Sequence, residues 1–152
     1  MLSNAQVAEF HEAGYLNGGA LLDDGHVEVL RAELERAIRE QDREDVPQPV
    51  LLRNLGRNDA APIWQIVNIW EASPPFKELL IMQKIVEEMA QLTEATELRI
   101  WHDQILYKPA EVGGTLGWHQ DAPLWPIIRP MTEVRAWVAS FLDAKGTSWI
   151  KP

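Results

Sequence analysis

The chain has 152 residues, 46% hydrophobic and 24% charged, enough for a single soluble domain over residues 1–152 and too few for two. Its net charge is −9 with no Lys/Arg run, which argues against nucleic-acid or anionic-membrane partners. With no cysteine, disulfides, thiolate metal sites and a cysteine nucleophile are excluded, and no window approaches the roughly 20 apolar residues of a membrane span.

Residues 1–20 lack a basic start followed by an apolar run, so no signal peptide is expected and the default location is the cytoplasm. Ser3 and Gln6 form a capping-box pair at the head of a helix whose apolar stripe is Val7, Phe10 and Ala13, and Gly14 is a natural stop. Tyr15-Leu16 reads as a short strand before a Gly18-Gly19 turn. Asp23 or Asp24 caps a second helix to about Gln41, with Val27, Leu30, Leu34 and Ile38 at three- and four-residue spacing. Residues 42–49 read as a loop and residues 50–62 as irregular, and Ile63–Trp70 is β-branched and aromatic like a strand.

Ser73 followed by Pro74-Pro75 predicts a helix start. The helix runs to about Leu92 and buries Phe76, Leu79, Leu80, Val86 and Met89. Glu97–Tyr107 alternates as a strand does and Lys108-Pro109 ends it. Thr115–Asp121 predicts another strand, residues 122–130 a proline-bearing loop, and Glu133–Leu142 a strand with Arg135, Trp137, Ala139 and Phe141 on one face. Helices first and strands later imply an α+β chain, its antiparallel sheet or partial barrel in the second half.

The chemistry concentrates at Gly117-Trp118-His119-Gln120-Asp121. On a strand, His119 and Asp121 project from the same face, as two corners of a facial metal site of the 2-His-1-carboxylate kind. The bland alternative is a histidine–carboxylate hydrogen bond on a strand. His26 and Glu28 share the same spacing, but on a helix two residues turn about 200°, so the pair diverges. His26 and His11 therefore read as solvated helix histidines. His102 reads as a core or pocket-lining residue, with Asp103 beside it pointing the other way.

The runs Trp101-His102-Asp103-Gln104-Ile105-Leu106-Tyr107-Lys108-Pro109, Gly117-Trp118-His119-Gln120-Asp121 and Arg135-Ala136-Trp137-Val138-Ala139 resemble the phytanoyl-CoA dioxygenase family. Phe10-His11-Glu12-Ala13-Gly14-Tyr15 resembles the family's opening helix, and the likeness spans roughly residues 5 to 143. It implies N-terminal helices packed on a partial double-stranded β-helix (jelly-roll) core. It also implies a dioxygenase or hydroxylase that uses Fe(II) and 2-oxoglutarate on a small or lipid-like organic substrate. His119 and Asp121 match two of the iron ligands, and Trp137 an aromatic position lining the 2-oxoglutarate pocket. Gln104 lies on the strand where relatives place another co-substrate contact. The alternatives are core packing for Trp137, and for Lys108 either a pocket cation or a strand-end lysine facing water.

The family's second iron-binding histidine and its co-substrate arginine lie well downstream of Asp121. Here no histidine follows His119, and Arg129 and Arg135 come too early. Residues 144–152 depart from the family's Glu-Asn-Gly and Gly-Ser-His elements, so the resemblance implies the N-terminal part of such an enzyme with an altered or truncated tail. Two other readings follow from this. One is a non-catalytic fragment that keeps the first half of the fold, with self-association through unpaired strand edges. The other is a metal-binding jelly roll in which His102 approaches His119.

Overall fold

The computed structural model describes residues 1–56, 62–109 and 134–138, and the backbone of 146–150. In chain order these form α1 (Asn4–Ala13), β1 (Tyr15–Ala20), α2 (Asp24–Arg39), β2 (Leu51–Asn54) and β3 (Trp64–Val67). A 3-10 turn (Ile69–Glu71), α3 (Pro74–Leu80), α4 (Gln83–Thr93), β4 (Gln104–Tyr107), β5 (Arg135–Val138) and β6 (Gly146–Ile150) follow. Helices are thus combined with antiparallel sheet, as an α+β chain requires. The expected strand at 115–121 and loop at 122–130 lie outside the described residues.

The described residues divide into two compact units. The first draws on Met1–Arg31, Ile81–Arg99 and the described part of His119–Pro152. Its N-terminal helix forms as the sequence predicts: Ser3 and Gln6 cap each other reciprocally, and Gly14 ends the helix at φ 81°, a conformation that favours glycine. The Leu2 backbone is clasped by Gln91 of α4, its N–H donating over 2.9 Å and its carbonyl accepting over 2.7 Å. β1 does not turn at Gly18-Gly19. It bulges there, with Gly19 at φ 71° and its N–H donating to Asn17 Oδ1, and continues to Ala20. Lys84 Nζ of α4 donates to the Gly18 and Ala20 carbonyls, 2.8 Å each, which satisfies the bulged end. The sheet order is β1-β6-β5, all antiparallel. The central strand, β6, comes from the tail expected to depart from the family pattern.

The second unit draws on Ala32–Leu80 and the described part of Ile100–Trp118. Its sheet has the order β2-β3-β4. β2 is a strand where the sequence reads as irregular, and it is short because Asn54 ends it, Oδ1 accepting from the N–H groups of Gly56 and Ile63. β4 covers only the last four residues of the strand expected over Glu97–Tyr107. α2 crosses from one unit to the other and buries Val27, Leu30, Leu34 and Ala37, the predicted stripe with Ala37 in place of Ile38 at its end.

The helix expected from Ser73 to Leu92 is two helices, broken at Ile81-Met82. The break coincides with the change of unit, so each segment turns its own apolar positions inward: Phe76 in the second, Ile85 and Leu92 in the first. Val86, expected inside, is 41% exposed because the break resets the helical phase. Ser73 also acts differently from a simple cap. Its carbonyl accepts the Lys77 N–H, but its buried hydroxyl donates to Glu33 over 2.7 Å. Glu33 pairs with Arg36, whose Nη2 reaches the Ala72 carbonyl. The Arg36 hydrogen bond, helped by Ser73 and opposed by burial, lowers the Glu33 pKa. The new phase gives a direct test. Ile85→Ala is expected to cost about 2–4 kcal/mol in urea unfolding and Val86→Ala less than about 1 kcal/mol. Equal costs would restore the continuous helix.

Candidate functional site

His119 and Asp121 lie outside the described residues, as do Trp118 and Trp125. Among the described residues no group of three or more His, Asp or Glu side chains is placed to hold a metal. The control pair behaves as the helix geometry demands. His26 Nδ1 sits 2.7 Å from Asp23 Oδ1 on the exposed face of α2, while Glu28 pairs with Arg31. The hydrogen bonds from His26 lower the Asp23 pKa. His11 is exposed in the last turn of α1, against the edge of Phe10.

Gln104 and Trp137 are described, the first in the second unit and the second in the first. Trp137 is 56% exposed on β5, so it is not a core residue. Lys108, just past β4, is exposed.

Gln104 begins β4. Strand alternation divides the β2-β3-β4 sheet into two faces. Leu52, Ile66 and Ile105 align across one face, where Ile66 is fully buried. Arg53, Gln65 and Gln104 occupy the other, where Arg53 and Gln104 are exposed. Arg53 Nε donates to Gln65 Oε1 over 2.8 Å, and Gln65 Nε2 donates to Gln104 Oε1 over 2.9 Å. The sequence reading missed Arg53 and Gln65. The signal available was the apolar run Val50-Leu51-Leu52 with Arg53 alternating out of it, masked by the polar residues that follow.

The other group with unusual chemistry is Asp103. It is not on a strand, and its backbone carbonyl accepts the Asn68 N–H over 3.0 Å. Asn68 holds a left-handed conformation at φ 55°. Among the described residues Asp103 Oδ1, Asn68 Oδ1 and Trp70 Nε1 are buried polar atoms without a hydrogen-bond partner. Burial raises the Asp103 pKa to about 6, with Glu71 adding to the rise and nearby backbone N–H groups opposing it. His102, expected as a core or pocket-lining residue, is half-buried, its ring edge-on to Trp101.

A carboxyl whose folded pKa lies above its unfolded value weakens the fold as it ionises. Full stability is present below about pH 4 and is lost as pH rises through about 6. At about 1.4 kcal/mol per pH unit the ceiling is near 3 kcal/mol, which partial solvent access reduces to about 1–2 kcal/mol. Asp103→Asn is therefore expected to gain that amount at pH 7.5 and little at pH 4, read from urea midpoints. A gain of equal size at both pH values would assign the effect to packing.

No curated protein and no solved structure matches the chain. A family model does, over residues 10–142, a span that takes in Gln104, His119, Asp121 and Trp137 and more than half of the sequence. The chain belongs to the phytanoyl-CoA dioxygenase family.

Proposed function

We propose that the chain is an Fe(II)- and 2-oxoglutarate-dependent dioxygenase or hydroxylase acting on a small or lipid-like organic molecule, with the double-stranded β-helix core of its family. The observation that carries this reading is the family match across residues 10–142, together with the His119-Gln120-Asp121 string inside it. An imidazole and a carboxylate suit ferrous iron, and their alternation on a strand would turn both to one side. The described co-substrate residues suit 2-oxoglutarate as well. Gln104 stands on an exposed sheet face with an amide that can donate to a carboxylate, and Trp137 offers an open indole face.

In this reading His119 and Asp121 would hold the iron, which with 2-oxoglutarate and O2 would supply the oxidation of a C–H bond. Gln104 would orient the co-substrate by a hydrogen bond from its NH2. Trp137 would supply an aromatic wall to the co-substrate pocket and help to exclude water.

Within these 152 residues the pair has no later histidine to join it, and two protein ligands hold iron less tightly than three. The chain by itself is expected to turn over 2-oxoglutarate weakly or not at all. Anaerobic Fe(II) titration with and without 2-oxoglutarate, followed by a succinate assay in air, tests both parts. Binding of iron strengthened by 2-oxoglutarate supports the oxygenase reading. Iron binding indifferent to 2-oxoglutarate supports a metal-binding jelly roll, and substantial uncoupled turnover would show that two protein ligands suffice.

A further inference from the structure

Three side chains on the exposed face of the β2-β3-β4 sheet form a directional chain: Arg53 Nε to Gln65 Oε1, then Gln65 Nε2 to Gln104 Oε1. Arg53 stands directly opposite Gln65, and Gln104 is its diagonal neighbour on the next strand, opposite Val67. We propose that Arg53 and Gln65 are positioning residues that fix the Gln104 amide so that its NH2 faces outward, and that this face therefore selects a ligand presenting hydrogen-bond acceptors, a carboxylate or keto oxygen. The inference rests on the oxygenase reading for the identity of that ligand, 2-oxoglutarate.

A glutamine amide can present either its oxygen or its NH2 by a half-turn at little cost, so an isolated Gln104 would offer a ligand both. A guanidinium cannot reverse, since every polar hydrogen on it donates and it accepts nothing. Arg53 therefore commits Gln65 to turning its oxygen toward β2. That leaves the Gln65 NH2 facing β4, where it can only meet the Gln104 oxygen. The remaining group, the Gln104 NH2, has no partner among the described residues. A positive charge at the head of the row polarises each amide in turn and strengthens the terminal donor.

The test uses the full 152-residue chain with Fe(II) under anaerobic conditions, titrated calorimetrically with 2-oxoglutarate. The Gln104 side-chain NH2 is followed separately by nitrogen-15 NMR without ligand. Arg53→Lys keeps a donor-only head and is expected to bind within about threefold of the wild type. Arg53→Met frees the row and is expected to weaken binding about three- to tenfold, the span of one ordinary hydrogen bond. Gln65→Glu accepts from both neighbours, so Gln104 must turn its NH2 inward and offer its oxygen. Binding is then expected to fall at least about tenfold, as a charged acceptor takes the donor away. In that variant the ligand-free Gln104 NH2 should exchange more slowly with water, while in the wild type it exchanges fast and shifts on adding 2-oxoglutarate. A merely structural role would not move that signal. Calorimetric affinities indifferent to all three variants, or a protected Gln104 NH2 in the ligand-free wild type, overturn the positioning role alone. Absence of 2-oxoglutarate binding by the wild type overturns the functional reading and the ligand assigned here with it.

Discussion

His119→Ala and Asp121→Ala are each expected to weaken Fe(II) binding by about 100-fold or more, measured anaerobically by competition with a chelating dye. Loss of groups that merely support a metal ligand costs about 10- to 100-fold in affinity, so loss of the ligand itself lies at or beyond the upper end. On the proposed reading His119 and Asp121 would be the chain's two protein ligands, so removing either would leave one, and the effect is expected to be large. His26→Ala is the control. That imidazole is engaged by Asp23 on an exposed helix, and its removal should leave iron affinity unchanged. His102→Ala separates the two metal-binding readings. A loss as large as that of His119→Ala would make His102 a ligand and favour the metal-binding jelly roll over the oxygenase.

Phe10→Ala is expected to destabilise the chain by about 3–5 kcal/mol, the usual cost of removing a buried phenylalanine. Phe10 is 1% exposed, on the last turn of α1, and its carbonyl receives the Gly14 N–H that ends the helix. Removing the ring empties the space beneath α1 while the capping box and the Gly14 turn hold the backbone in place, so little relaxation is available to refill it. Domains of this size are commonly stable by only about 5–15 kcal/mol, so the variant should melt well below the wild type or fail to accumulate. Val29→Ala, at a position 50% exposed on α2, should stay within about 1 kcal/mol. Similar losses at both positions would place Phe10 outside the core.

The sequence by itself determined whatever depends on neighbours a few residues away. The Ser3–Gln6 cap, the Gly14 stop and the Val27-Leu30-Leu34 stripe are local, so composition and spacing suffice to read them. The family was also legible, because the runs that carry the resemblance, residues 101–109, 117–121 and 135–139, all fall within the matched residues 10–142. Other features depended on partners far along the chain. Leu51–Asn54 is a strand because β3 pairs with it, and Gly146–Ile150 because β1 and β5 flank it, neither of which periodicity can show. Ile81-Met82 carries no helix-breaking residue, yet the helix breaks there because its two halves bury themselves in different units. The Ser73 hydroxyl goes to Glu33, forty positions earlier, rather than to the helix it opens. The Gln104 amide accepts from Gln65, which in turn accepts from Arg53, each on another strand, and Asp103 carries a raised pKa chiefly because burial removes its water, with Glu71 adding to the rise. Hydrogen bonds and desolvation between distant segments exist only once the chain has brought those segments together, and that is why tertiary structure alone decided them.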